Sequence, residues 1–335
     1  MRCAVSFNCI FILGPTAVGK TAIGVRVATA LGGEILSADS RQVYKGLDIG
    51  SGKDLADFKI PADYALKLNP ALKDKIKDGF YNVPYHLIDV CTLEREYNLA
   101  DFVADFYQAV SDCRKRGVMP VCVGGTGMYL DSIIRNYEMI PFTEDPSERT
   151  ELEKLSYDQL KEILIREKEK LHNTTDFATK ERIITAIMIN RFNLSERYQE
   201  LKKEIMAQRP EIEPLIIGTT FERSLVRQGI ARRLKARLEE GLIEEVEGLH
   251  NDGASFERLE SLGLEYRFVS QYLQGKIKTK EELFELLNLA IGQFAKRQET
   301  WFRSMEKKGV KINWLPQTPD VDTRFEAALQ LISKK

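Results

Sequence analysis

Short apolar runs alternate along the first 136 positions with stretches whose apolar residues recur every third or fourth place. The run Cys9-Ile10-Phe11-Ile12-Leu13 has no polar position, the pattern of a strand buried on both faces, and residues 21–31 carry the spacing of an amphipathic helix. Gly32-Gly33 ends that helix. Glu34-Ile35-Leu36-Ser37-Ala38-Asp39 then reads as a second strand running into a polar segment. Strand character returns over residues 85–90 and 118–123, with helical spacing over 99–116 between them. Strands alternating with helices in this way predict an α/β fold, a parallel sheet covered by helices on both faces.

The remaining pattern is mostly helical. Residues 54–81 are polar, Lys-rich and weakly periodic, with Pro61 and Pro70, and read as a surface excursion. Beyond Tyr137 the sequence becomes charged, with Pro141 and Pro146 at its entry and Leu152, Leu155, Leu160, Ile163 and Leu164 at helical spacing. This predicts a helical subdomain over 137–181, inserted into a core of 1–136 and 182–335. Residues 180–193 read as a helix leading back, and Pro214-Leu215-Ile216-Ile217-Gly218 as one more core strand. Helices are expected over 224–241, 244–251, 257–273 and 281–305, and a short strand over 310–314 closes the sheet.

At 335 residues the chain can bury a large core, and a net charge of −1 gives no global argument for a nucleic-acid partner. Any RNA site has to come from local clusters. One comprises Arg223, Arg227, Arg232, Arg233, Lys235 and Arg237; the other is Lys296, Arg297, Arg303, Lys307 and Lys308 around Trp301 and Phe302. Such runs are commonly solvated helix faces, but beside a phosphate site they become candidates for diphosphate and RNA-backbone contacts. The cysteines Cys3, Cys9, Cys91, Cys113 and Cys122 include no C-x-x-C pair, which suits a reducing, cytoplasmic setting. The apolar run at 3–13 lacks a basic leader or a cleavage site and reads as a strand, and no stretch is long enough to span a membrane. His86, His172 and His250 are too far apart to suggest a metal triad.

The chemistry enters at Gly14-Pro15-Thr16-Ala17-Val18-Gly19-Lys20-Thr21, a phosphate-loop pattern lying between the first strand and the first helix. There the glycines let backbone N–H groups converge on an anion, and the helix N-terminus adds partial positive charge. Lys20 would reach the phosphate oxygens and Thr21 a bound Mg2+, the one metal expected. The fold then becomes a P-loop NTPase-like sheet. Asp39, at the carboxyl end of the neighbouring strand, faces the ligand crevice and is the first catalytic candidate.

Further segments add to the phosphate loop. GPTAVGKT (14–21), SADSRQVYKGLDIG (37–50), HLIDV (86–90), VGGTGMYL (123–130), KERIITAI (180–187), EGLIEEV (240–246) and FAKRQETWFR (294–303) are collinear and span nearly the whole chain. Together they resemble the tRNA dimethylallyltransferase (tRNA isopentenyltransferase) family. The resemblance implies transfer of a dimethylallyl group from dimethylallyl diphosphate to N6 of the adenosine 3′ to the anticodon. It implies Asp39 as the base, with Thr16, Lys20 and Arg233 completing the catalytic set. It also implies RNA contacts at Asp39, Ser40, Arg41, Gln42, Thr126, Arg182, Lys296 and Arg297, with the inserted subdomain clamping the anticodon stem. A monomer acting on tRNA without a membrane is expected.

The chain departs from the family pattern at several places. Asp48-Ile49-Gly50-Ser51-Gly52-Lys53-Asp54 stands where DIGTAKP is usual, and Tyr85 replaces the first of two adjacent histidines. Gly229 replaces the first arginine of an R-I-x-x-R helix whose second is Arg233, leaving Arg227 or Arg233 as the diphosphate arginine. Thr185 stands where an arginine is common, and Gly263-Leu264-Glu265-Tyr266 replaces GYKE. Two other activities fit part of the sequence: an adenylate isopentenyltransferase acting on free nucleotides, and a P-loop small-molecule kinase.

Overall fold

The computed structural model describes residues 7–142, 144–167 and 174–334. Cys3 and His172 lie outside the described residues. In chain order the strands are β1 (Cys9–Leu13), β2 (Glu34–Ala38), β3 (Lys59–Pro61), β4 (Ile76–Lys77), β5 (Phe80–Asn82), β6 (Tyr85–His86), β7 (Pro120–Gly124), β8 (Pro214–Gly218) and β9 (Asn313–Trp314). The helices are α1 (Lys20–Leu31), α2 (Ala62–Leu68), α3 (Leu99–Lys115), α4 (Gly127–Ile134), α5 (Pro146–Glu153), α6 (Tyr157–Glu167), α7 (Lys180–Asn193), α8 (Glu196–Gln208), α9 (Arg223–Glu240), α10 (Leu242–Asn251), α11 (Phe256–Ser261), α12 (Leu264–Leu273), α13 (Lys280–Lys307) and α14 (Val321–Ser333).

Two compact units result: residues 1–137 with 210–335, and residues 138–209. The first is built on a six-stranded sheet of order β6-β2-β7-β1-β8-β9, parallel throughout. Every residue of β1 is buried, which explains its unbroken apolar run; side chains such as Ile10, Ile12 and Leu13 each contribute about 1.5–3 kcal/mol by leaving water. The paired order places the carboxyl ends of β2, β7 and β1 side by side, so Asp39, Gly125 and Thr16 open onto one crevice.

The second unit is α5 to α8, with a core of Leu152, Leu160, Leu164, Ile183, Ile184, Ile187 and Met188. The expected boundary at 181 is therefore too early. The apolar face of α7 buries itself against α6, and α8 follows it, so the inserted unit extends to 209.

Four other expectations need correction. Residues 54–83 are no bare surface excursion: β3, β5 and β4 form a small antiparallel sheet, and Phe58, Ile60, Ala65, Leu72, Tyr81 and Val83 join the main core. The strand expected over 85–90 stops at His86, because Leu87 and Asp89 adopt φ of 65° and 57° and turn the chain. The helix expected over 257–273 is two, α11 and α12, broken at Gly263 with φ 139°. And α14, not anticipated at all, starts from an Asp320 cap that accepts from the Thr323 N–H at 2.8 Å.

Candidate active site

The phosphate loop runs from the end of β1 into α1. Gly19, the residue before α1, has φ 73°, and Ala17 also sits in the left-handed region at 62°, a strained choice for a residue with a Cβ. Gly14 cannot be otherwise: a Cβ there would collide with the Thr219 carbonyl. The loop is braced from two directions. Gln298, buried on α13, accepts from the Thr16 N–H at 2.9 Å and donates to the Gly125 carbonyl at 2.8 Å, tying the loop to the end of β7. Arg324 on α14 donates to the Val18 carbonyl at 2.6 Å.

A cleft of about 700 Å³, its open mouth included, lies above these strand ends; Thr16, Lys20, Thr21, Asp39, Arg41, Gln42, Arg233 and Gln298 are among its lining. Lys20 donates to the Pro15 carbonyl at 2.6 Å. Burial lowers its pKa to about 7, with Arg233 and Arg41 acting the same way and Asp39 opposing them. A cation held this close to neutrality gains from a bound anion. At Asp39 burial favours the protonated form, but the Arg41 guanidinium, the Arg41 N–H bond at 3.0 Å and Lys20 outweigh it, and the carboxyl stays below the ordinary carboxylate range. Asp39 is thus an ionised acceptor at neutral pH, set at the strand end beside the phosphate loop.

The other expected residues fall into two groups. Ser40 donates its N–H to Thr126 Oγ1 at 3.1 Å, joining the segment after β2 to the start of α4. Arg41 pairs with Glu265 at 2.8 Å and lies 5.7 Å from the Phe294 ring centre. Gln42 accepts from Ser37 Oγ at 2.7 Å and donates to the Gly52 carbonyl at 3.0 Å, so its amide braces the cleft wall. Arg233 reaches Asp54 at 2.9 Å. Lys296 and Arg297 are exposed and do not line the cleft; Lys296 lines a separate groove with Arg223, Arg303 and Trp314. Arg182 belongs to the second unit. Of the two arginines considered for the diphosphate, Arg233 lines the cleft, whereas Arg227 is exposed and does not.

Gln298 and Arg324 were not singled out from the sequence, and Arg237 and Glu265 entered there only as a member of a basic cluster and as part of a departure from the family pattern. Gln298 sits inside FAKRQETWFR, Arg237 lies one helical turn after Arg233, and Glu265 lies in the stretch that replaces GYKE, so these three left a trace; Arg324 carried none beyond its charge. Away from the cleft, Glu34, His86 and Cys113 come together as a possible ligand set. Arg116 already holds the Glu34 carboxylate with both guanidinium nitrogens, pushing its pKa down to about 2, and this cluster reads as a structural ion pair. Cys9, Cys91, Cys113 and Cys122 are buried free thiols, and no helix among the described residues is long and apolar enough to cross a membrane.

Fold and site define a P-loop-like enzyme that sets the Asp39 carboxylate in one cleft with its phosphate loop. Comparison with known proteins fixes the family. The IPP transferase model matches residues 72–305, and an isopentenyl transferase model matches 7–59. Among relatives, tRNA dimethylallyltransferase 2 of Treponema denticola is 48% identical over 92% of this chain and 95% of its own, and that of Syntrophotalea carbinolica is 46% identical over 93% and 95%. A solved tRNA isopentenylpyrophosphate transferase from Bacillus halodurans superposes with a TM-score of 0.63 at 28% identity, covering 98% of this chain and 97% of that one. A eukaryotic dimethylallyltransferase acting on tRNA, 20% identical, shares the fold with a TM-score of 0.69 over 97% of this chain and 78% of its own. The chain belongs to the IPP transferase family, the tRNA dimethylallyltransferases.

Proposed function

We propose that the cleft transfers the dimethylallyl group of dimethylallyl diphosphate to N6 of the adenosine 3′ to the tRNA anticodon, with Asp39 as base and the phosphate loop as donor site. The observation that carries this is the placement of Asp39 and Lys20 in one cleft, at the ends of β2 and β1. The acceptor amine is a weak nucleophile because its lone pair is delocalised into the purine ring. A positioned carboxylate that takes its proton as the bond forms supplies what it lacks. The N6–C1 bond forms while the C1–O bond to the diphosphate breaks. The electron pair leaves with pyrophosphate, and the N6 proton passes to Asp39.

Lys20, Arg233 and the N–H groups at the start of α1 face the charge that develops on the leaving group. Diphosphate binding also brings negative charge into the cleft that holds Asp39, which disfavours the ionised carboxylate, so the donor raises its basicity. The Thr21 hydroxyl, on the cleft wall in the first turn of α1, suits Mg2+, which takes few protein ligands and fills its octahedron with phosphate oxygens and water. When bound, Mg2+ would add positive charge at the diphosphate. The target base has to leave the anticodon-loop stack, at a cost of a few kcal/mol that RNA contacts offset. We take the working species to be a monomer.

The test is incubation of the purified protein with Mg2+, dimethylallyl diphosphate and either unmodified tRNA or AMP, followed by digestion and mass analysis. Prenylated adenosine from tRNA alone is expected. Product from AMP would place the enzyme with the free-nucleotide transferases, and no product from either would overturn the reading.

A further inference from the structure

The cleft contains a buried charge whose hydrogen-bonding capacity the protein leaves unfilled. Arg237, in the last turn of α9, has a side chain only 8% exposed. Its Nη1 faces Glu265 Oε1 at 3.6 Å and the Gly50 carbonyl at 3.5 Å. Its Nη2 is buried and has no hydrogen-bond partner among the described residues. Such an orphan costs about as much as a lost hydrogen bond to a charge, and a fold retains one where something else supplies the partner.

The surroundings say what that partner is. Arg233 and Arg237 are four residues apart on one helix face, and the Nη2 groups of both crowd the Cα of Gly52, where any Cβ would collide with them. Gly52, at φ 66°, therefore lets two guanidinium groups meet on the cleft wall that also carries Lys20 and Thr16. Burial, reinforced by the neighbouring Arg233 charge, lowers the Arg237 pKa to about 10. Glu265 offsets only part of this, because its other oxygen is held by Arg41 at 2.8 Å. Two converging guanidinium groups and an ammonium match a group of several negative charges with oxygens on more than one centre.

We propose that Arg237 is a donor-binding residue, its free Nη2 completing with Arg233 a two-arginine clamp on the diphosphate, with Glu265 as the positioning residue that aims it. This rests on the donor site proposed above. The phosphate could in principle come from the RNA backbone, but the clamp shares its cleft with the phosphate loop, which favours the donor.

Inorganic pyrophosphate with MgCl2, titrated calorimetrically into the full-length protein, is the probe. Arg237→Met is expected to weaken its binding at least about tenfold, with Arg237→Lys in between, while affinity for an anticodon stem-loop stays within about twofold. Free Arg237→Met should also melt no lower than the wild type, since it loses a buried charge that is only partly compensated while Glu265 keeps its 2.8 Å pair with Arg41; a merely structural arginine would give a lower melting temperature and unchanged pyrophosphate binding. Pyrophosphate affinity within twofold of wild type in Arg237→Met, or a loss confined to the stem-loop, would overturn the inference. A wild-type protein that fails to bind pyrophosphate would overturn the donor site itself, and the inference with it.

Discussion

Arg324 is the position at which the C-terminal helix controls the phosphate loop, and removing it tests that link. The side chain is 2% exposed. Nη1 donates to the Val18 carbonyl at 2.6 Å and to Thr219 Oγ1 at 3.1 Å; the longer bonds to Asp320 and Pro319 carbonyls, at 3.3 and 3.4 Å, add less. The guanidinium also lies 4.7 Å from the centre of the Phe221 ring. Two short bonds from a charged donor are worth about 1.5–3 kcal/mol each, and desolvation of the charge takes back part of that. Arg324→Met keeps the bulk but strands the Val18 carbonyl. The net loss should be about 2–4 kcal/mol, roughly 3–6 °C in melting temperature for a chain of this size. The freed carbonyl can turn toward the anion site, so KM for dimethylallyl diphosphate should rise about tenfold while tRNA affinity holds. Calorimetric melting and steady-state kinetics with each substrate varied would measure both. A variant that melts with the wild type and keeps its donor KM would show that α14 does not support the loop.

Three further outcomes follow from the same geometry. Asp39→Asn should lower turnover by about 10²–10⁴ with RNA affinity within a few-fold, because it removes a proton acceptor and little shape; wild-type turnover in single-turnover assays would refute the base. Lys20, with a pKa lowered to about 7 in the free cleft, should take up a proton when a diphosphate binds. The bound state then holds more protons, so donor affinity should fall as pH rises above about 7, and binding heats at pH 8 should depend on the buffer's ionisation enthalpy; heats independent of buffer would exclude the linkage. Leu164→Ala, at a position with no exposure in the second unit's core, should cost about 2–5 kcal/mol, read as earlier loss of helical signal on heating, and an unshifted transition would contradict that core.

What the sequence displayed was whatever forms through neighbours along the chain. β1, α1, β2 and β7 have unbroken apolar runs or clear helical spacing, and the phosphate loop and Asp39 sit at their ends, so the heart of the site was legible. Residues 54–83 hid their structure because β3, β4 and β5 are two or three residues long. Strands that short have no period, and Phe58, Leu72 and Tyr81 are buried by partners far away in the chain. The insert boundary failed for a related reason: the apolar residues of α7 announce a buried face but not which core it joins. Gln298 and Arg324 brace the loop from 282 and 306 positions away, contacts that no local spacing encodes. By contrast α14 was readable in principle, with Asp320 as cap and Phe325 and Ala328 on its buried face.

Two of the departures from the family pattern lie in separate stretches, around 51–54 and 263–266, yet the structure joins them. Tyr266 donates to Glu245 at 2.8 Å, and Glu245 in turn accepts the N–H groups of Ile49 at 2.6 Å, Gly50 at 3.0 Å and Asp48 at 3.1 Å. A Cβ at Gly50 would come within 2.7 Å of the Tyr266 ring. Two residues on, Gly52 makes room for Arg233 and Arg237, and Glu265, next to Tyr266, stands between Arg237 and Arg41. A side chain at 52 would collide with the arginines, and without the acid at 265 Arg41 and Arg237 would lose the carboxylate they share. The absence of a side chain at 52 and the acid at 265 therefore both bear on the placement of Arg237. Gly52, Arg233 and Arg237 thus share one wall of the cleft with Thr16 and Lys20 of the phosphate loop, and Glu265 supports that wall through Arg237 and Arg41.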